Sequence, residues 1–272
     1  MDQQLILPST PADGVRVLAL NRPSKRNALS QELITVFLEQ LKTASQDDGV
    51  RVIVITGSST FFCGMNSLHL LPIPKGQAGA DIGEISRLDA EGARYCRYLS
   101  DLCTGMQAVR KPLIAAVEGM ALGGGFELAL MCDLIFAAHD SRFGLPEVSI
   151  GLIPGAGGTQ RLTNAVGKFK AMQMILLGRP IQAEEAQSAG LVAQLYESGS
   201  VLDNVVKDTA STLAALSPTA LGLAKEAICK SDDLGVDHEF ERSLYYFAFG
   251  TKDKEEGVRA FLEKRKPEWT SK

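Results

Sequence analysis

Two glutamates, each beside a glycine-rich stretch, are the residues of this chain whose setting could support proton transfer. From Gly119 to Leu130 the sequence reads Gly-Met-Ala-Leu-Gly-Gly-Gly-Phe-Glu-Leu-Ala-Leu, placing Gly123, Gly124 and Gly125 just ahead of Glu127. An apolar β-rich run precedes this segment and an apolar helical run follows it. Glycines let a ligand approach the backbone closely, and the first amides of a helix have no internal acceptors, so they can receive developing negative charge. The second segment, Phe143 to Leu162, carries Pro146-Glu147 among apolar neighbours and then Pro154-Gly155-Ala156-Gly157-Gly158. A desolvated carboxyl there would have its pKa raised toward the range where it both gives and takes a proton near neutrality. Each feature alone also fits a plainer role. The glycines could serve strand–helix packing, Glu127 could be a favourable first-turn acid, and Glu147 a solvent-facing loop acid.

Other chemistries lack their residues. The glycine run has neither the Lys-Ser/Thr of a P-loop nor the spacing of a dinucleotide fingerprint. The five cysteines (Cys63, Cys96, Cys103, Cys132, Cys229) form no CxxC pair, and His69, His139 and His238 have no metal-ligand spacing. No metal site is expected, and the thiols read as reduced, which favours an intracellular location over secretion. Mitochondrial, peroxisomal and cytosolic sites are not distinguished. A net charge of −4 gives no general attraction to nucleic acid, and no apolar stretch is long enough to cross a bilayer.

The elements that must hold these glutamates follow from hydrophobic periodicity. Val15 to Leu20 and Arg51 to Thr56 are β-branched runs. Between them Ser30 can cap a helix with Leu33, Ile34, Phe37, Leu38 and Leu41 on one face. Leu113 to Val117 and Leu134 to Ala138 read as further buried strands, and Tyr95, Leu99, Leu102, Met106 and Val109 recur at helical spacing. Strands alternating with helices predict an α/β fold with parallel strands. Beyond Gly151 helical patterns dominate, and the last helix is expected to place Lys264 and Arg265 at its negative end before Pro267. The 272 residues, 45% of them hydrophobic, suffice for one large domain with a smaller appendage.

Taken together, several segments resemble the ordered signatures of the crotonase (enoyl-CoA hydratase/isomerase) superfamily: Gly119 to Leu130, Phe143 to Leu162, Leu20-Asn21-Arg22-Pro23 with Asn27-Ala28-Leu29, and Ala78-Gly79-Ala80-Asp81-Ile82. The resemblance implies a crotonase-like spiral of ββα units over residues 1–205 and a C-terminal helical trimerisation region over 206–272. It implies an acyl-CoA substrate, a homotrimer or homohexamer, and no cofactor beyond the coenzyme A of the substrate. The expected activity is that of a lyase of fatty acid metabolism and β-oxidation, hydrating the 2,3 double bond of a 2-enoyl-CoA. Glu127 and Glu147 would be the acid–base pair, and the amides of Ala80 and Gly124 the oxyanion hole. Lys25, Arg26, Ala28, Ala78, Asp81, Ile82 and Gly123 would border the substrate and its CoA. Enoyl-CoA isomerisation and methylglutaconyl-CoA hydration are alternative activities of the same family. A catalytically impaired scaffold or RNA-binding relative is an alternative of another class.

One departure stands out. The family pattern runs Phe-Cys-Ala-Gly-Ala-Asp-Ile without a break, whereas Gly64 to Gln77 here separate Cys63 from Ala78. The Gly-Met start and Gln end of that stretch permit splice-boundary codons, so it is read as an in-frame retained intron or a gene-model error.

Overall fold

A computed structural model describes residues 4–63, 99–150 and 152–230, together with Lys252, Glu256, Glu263, Arg265, Glu268 and Trp269. The predicted strands form where expected, within a residue of the sequence boundaries. They are β2 (Val15–Leu20), β3 (Val52–Thr56), β5 (Leu113–Val117) and β7 (Leu134–Ala138), and β1 (Ile6–Ala12), which was not foreseen, precedes them. With β10 (Gln194–Tyr196) they build a six-stranded sheet in the order β1-β2-β3-β5-β7-β10, parallel from β2 onward.

Both faces of the central strands β3, β5 and β7 are covered, which explains why these strands are continuously apolar rather than alternating. Along β3 and β5, Ile53, Ile55, Leu113, Ala115 and Val117 enter one core, and Val52, Val54, Ile114 and Ala116 enter the other. The first core is closed by α1 (Gln31–Gln46) and α2 (Ser100–Gln107), which supply Leu33, Ile34, Phe37, Leu41, Leu102 and Met106. As expected, the Ser30 hydroxyl accepts from the Leu33 amide at 3.2 Å and caps α1. The second core is closed by residues 201–214, where Val201, Val205, Val206 and Ala210 face the sheet from a helical run with a π-helical stretch at Val205–Ala210.

A second sheet of short strands, not legible in the sequence, runs β4 (Phe61–Cys63), β6 (Met120–Leu122), β8 (Arg142–Gly144) and β9 (Ile181–Gln182). The pairs β3/β4, β5/β6 and β7/β8 each place the first strand in the large sheet and the second in the small one, with parallel neighbours between pairs. The structural repeat is therefore two strands followed by a helix, winding forward. After β6 comes α3 (Gly124–Leu130). After β8 come a 3-10 turn (Glu147–Ile150), α4 (Gly158–Val166) and α5 (Lys168–Leu177). The later helices include α6 (Ala183–Ser188) and α7 (Pro218–Lys230).

Arg265, expected at the negative end of the last helix, makes a specific pairing. Its guanidinium donates to both carboxylate oxygens of the buried Glu256, at 2.6 and 3.0 Å. Lys264 and Pro267 lie outside the described residues. Cys103 and Cys132 are free thiols.

Candidate active site

The small sheet puts both glutamates at its carboxyl-terminal edge. β6 delivers the three glycines, and the Gly123 amide donates to the Gly144 carbonyl at 2.9 Å, tying the start of α3 to the end of β8. Gly123 has φ +56, a conformation natural to glycine. Gly124 is the first residue of α3 and is buried, and its amide has no acceptor within the helix by position. A Cβ on Gly125 would lie 2.0 Å from the Cys63 carbonyl oxygen, so its glycine lets α3 butt against the end of β4.

Glu127, in the first turn of α3, is 1% exposed. Its Oε1 accepts hydrogen bonds from the Ala156 amide at 2.7 Å and the Gly158 amide at 2.9 Å. Burial raises its pKa, while the amides of Gly158, Ala156 and Gly155 and the charge of Arg161 pull it back down. Glu147 opens the 3-10 turn after β8 and is 7% exposed. Among the described residues its buried Oε2 has no hydrogen-bond partner. Burial pushes its pKa to about 7, its own backbone amide opposes the rise, and the neighbouring negative charge of Glu127 adds to it.

These environments separate the two acids. A carboxylate gripped by backbone amides is favoured in its ionised form, and one buried without donors in its protonated form. The pair is thereby arranged with Glu147 the better proton donor and Glu127 the better acceptor. No group of His, Cys, Asp and Glu suited to a metal ion occurs among the described residues.

The turn at 155–158 contributes residues that sequence reasoning used only as a motif. Ala156 and Gly158 supply the amides on Glu127, and Arg161 donates to the Ala156 carbonyl at 2.8 Å. Their signal was the density of glycine after Pro154, which marks a backbone that must come close to something.

Asn27 was also missed. It is 1% exposed, and its side chain donates to the Phe61 and Phe62 carbonyls at 3.3 and 3.1 Å while accepting from the Arg22 amide at 2.8 Å. The Cys63 thiol in turn donates to the Asn27 carbonyl at 2.8 Å. The turn carrying Lys25, Arg26 and Ala28 is thereby hooked to β4. Arg26 lies over the Phe61 ring, 4.8 Å from its centroid, Lys25 is exposed, and Ala28 is buried with its carbonyl accepting from Arg22. Ala78, Ala80, Asp81 and Ile82 lie outside the described residues.

Comparison with known proteins agrees with this geometry. The profile described as enoyl-CoA hydratase/isomerase matches residues 10–272. A 2,3-dehydroadipyl-CoA hydratase of Escherichia coli K12 is 42% identical over 94% of each chain. A mitochondrial enoyl-CoA hydratase of Pongo abelii is 39% identical over 93% of this chain and 82% of its own. The crystal structure of an enoyl-CoA hydratase from Bacillus anthracis superposes with a TM-score of 0.87 at 33% identity, covering 99% of this chain and 100% of that one. A profile match across nearly the whole sequence, on a fold shared with solved hydratases, shows that the chain belongs to the enoyl-CoA hydratase/isomerase family.

Proposed function

We propose that the protein is a hydro-lyase that adds water across the 2,3 double bond of a 2-enoyl-CoA thioester. The observation that carries this reading is the contrast between the two buried acids: Glu127 Oε1 held by two amides, and Glu147 Oε2 held by none of the described residues. Hydration needs a base for the water and an acid for the carbon skeleton. Glu127 takes a proton from the water whose oxygen bonds to C3, and the π electrons move onto C2 and the thioester oxygen. Glu147 then supplies the proton to C2, so the pair as a whole neither gains nor loses a proton. The amides of Gly124 and Ala80 hold the thioester oxygen while it carries charge, an interaction generally worth about 3–4 kcal/mol per donor.

Gly123 lies beside the reacting thioester in this scheme, while Lys25, Arg26, Ala28, Ala78, Asp81 and Ile82 border the CoA portion. No resident cofactor takes part, so activity is expected to survive exhaustive chelation. Assembly into a homo-oligomer is supported by an apolar exposed face on α5, and an intracellular location by the free thiols. Among the described residues no helix is long and apolar enough to cross a membrane.

The test is turnover of crotonyl-CoA, followed as loss of the conjugated enoyl absorbance. Glu127→Gln and Glu147→Gln are each expected to slow it by about 10²- to 10⁴-fold. Unchanged rates in both variants would remove the acid–base assignment. An unmodified protein that fails to hydrate crotonyl-CoA but binds RNA with steep salt dependence would support the scaffold reading instead.

A further inference from the structure

The turn that grips Glu127 is itself gripped from behind. Arg161 lies one turn into α4, and its backbone amide donates to the Gly157 carbonyl at 2.9 Å in ordinary helical fashion. Its side chain does not extend into solvent. It folds back over the start of its own helix, where Nη1 donates to the Ala156 carbonyl at 2.8 Å. A Cβ on Gly157 would lie 2.1 Å from that same Nη1, so the space a side chain would need is filled by the guanidinium. Gly157 also has φ +85, which only glycine adopts without strain. The residue whose carbonyl Arg161 holds is the one whose amide reaches Glu127 Oε1 at 2.7 Å.

Charged and titratable groups converge here from three other elements. Glu127 faces the guanidinium from α3 and has its pKa lowered by it, against the rise caused by burial. Cys103 faces it from α2. Burial pushes that thiol up, Arg161 pulls it down by charge and hydrogen bond, and Glu127 pushes it up. Glu147, from the 3-10 turn after β8, feels the charge of Glu127.

We infer that Arg161 is a positioning residue: by holding the Ala156 carbonyl it fixes the turn whose amides aim the Glu127 carboxylate. The inference rests on Glu127 being the base of the proposed hydration. A guanidinium that merely capped the first turn of α4 would contribute to stability and nothing else. A positioning guanidinium must alter kcat more than KM, because the carboxylate it aims acts on water in the transition state rather than on the CoA handle.

The test uses Arg161→Gln and Arg161→Lys in the full chain, with crotonyl-CoA hydration measured across pH. Arg161→Gln should lower kcat by about tenfold or more, from misplacement of the base, with KM changed less than about twofold. The acidic limb of its kcat/KM profile should move to higher pH, because the positive charge that lowers the Glu127 pKa is gone. Arg161→Lys restores the charge without the planar fork, so the limb should return toward its original position while kcat recovers only in part. Three results would each overturn the inference: a folded Arg161→Gln with unchanged kcat and profile, a fall in kcat with the limb unmoved and no rescue by lysine, or loss of folding in both variants. Failure of the hydratase reading itself would show separately, as full activity in Glu127→Gln.

Discussion

The Gly158 amide stands 2.9 Å from Glu127 Oε1, and a Cβ built on Gly158 would stand 2.8 Å from that same oxygen. The position therefore has to donate a hydrogen bond while presenting no side chain. Its backbone does not require glycine, since Gly158 is absent from the positive-φ residues. Leu145 Cδ1 and Glu127 Cγ, each 3.0 Å from the virtual Cβ, close the remaining directions.

Gly158→Ala separates these demands. Alanine is the better helix former by about 0.5–1 kcal/mol, so propensity alone would stabilise α4. Overpacking against a buried carboxylate costs about 1–3 kcal/mol, and the clash should win. Urea denaturation should show net destabilisation, and steady-state hydration should show kcat down by about a hundredfold from displacement of the base. A more stable and fully active variant would mean the carboxylate can move aside at no cost.

The pH dependence follows from the shared proton. Hydration consumes the state with Glu127 ionised and Glu147 protonated. It leaves the state with those protons exchanged, so dehydration starts from a form of equal total protonation. Both directions should therefore show the same bell-shaped kcat/KM profile, with an alkaline limb near the Glu147 pKa of about 7. Measurement of crotonyl-CoA hydration and 3-hydroxybutyryl-CoA dehydration from pH 5 to 9 checks this. An alkaline limb well away from pH 7 would mean that a group other than Glu147 is titrating.

Glu147 also costs stability, with a definite sign. Its folded pKa, about 7, is above the ordinary carboxyl value of 4.5, so the native state binds the proton more tightly than the unfolded chain. Stability is then greatest below the unfolded value and falls as pH rises through the folded one. The loss above pH 7 is about 3 kcal/mol. Glu147→Gln removes the ionisable group, so its stabilising effect should be large at pH 8 and mostly absent at pH 5, as read by urea unfolding at both. An equal effect at the two pH values would place the gain in packing rather than in charge.

The four inner strands of the large sheet, β2, β3, β5 and β7, were legible because burial leaves apolar, β-branched runs such as Val52 to Thr56, whereas the edge strands β1 and β10 were not. The glutamates were legible because each follows a glycine or proline signal that a surface acid does not need. The small sheet was not, since three-residue strands such as Phe61–Cys63 carry no periodicity and are defined by partners far away in sequence. Arg161 and Asn27 were illegible for a related reason. Each works through hydrogen bonds to backbone carbonyls, which leave no pattern in side-chain types, and Asn27 with φ +58 reads from sequence as an ordinary turn residue.

The interruption between Cys63 and Ala78 gives a prediction about the oxyanion donors. Asn27 and Gly125 fix the position of β4 up to Cys63, and the family pattern places the Ala80 equivalent shortly after that point. A chain lacking Gly64 to Gln77 restores the continuous motif and should hydrate crotonyl-CoA faster than the full chain. The difference is expected to reach about a hundredfold, as for a displacement of about 1 Å at a reacting centre. Mature transcript encoding Gly64 to Gln77, together with equal turnover of the two forms, would show that the stretch is native and harmless.

The outer face of α5 gives the last prediction. Phe169 is 88% exposed and Leu176 64%, with Met172 between them at helical spacing and Leu177 beside them. Isolated exposed apolar side chains are ordinary, but a row of four on one helix is the kind of patch that a partner covers. The opposite face of α5 buries Ala171 and Met174, so the helix cannot rotate to hide the row. A second copy of this chain is the occupant that family membership favours. Phe169→Asp combined with Leu176→Asp adds charge where the buried contact would lie, so sedimentation should show a shift from oligomer toward monomer. The end of α5 also packs close to Glu147, since a Cβ on Gly178 would sit 3.5 Å from Val148 Cγ2 and 3.6 Å from Pro146 Cα. Loss of assembly should therefore lower kcat as well, through loosening of the turn that carries the acid. Unchanged sedimentation of a folded double variant would show that α5 is not the contact surface.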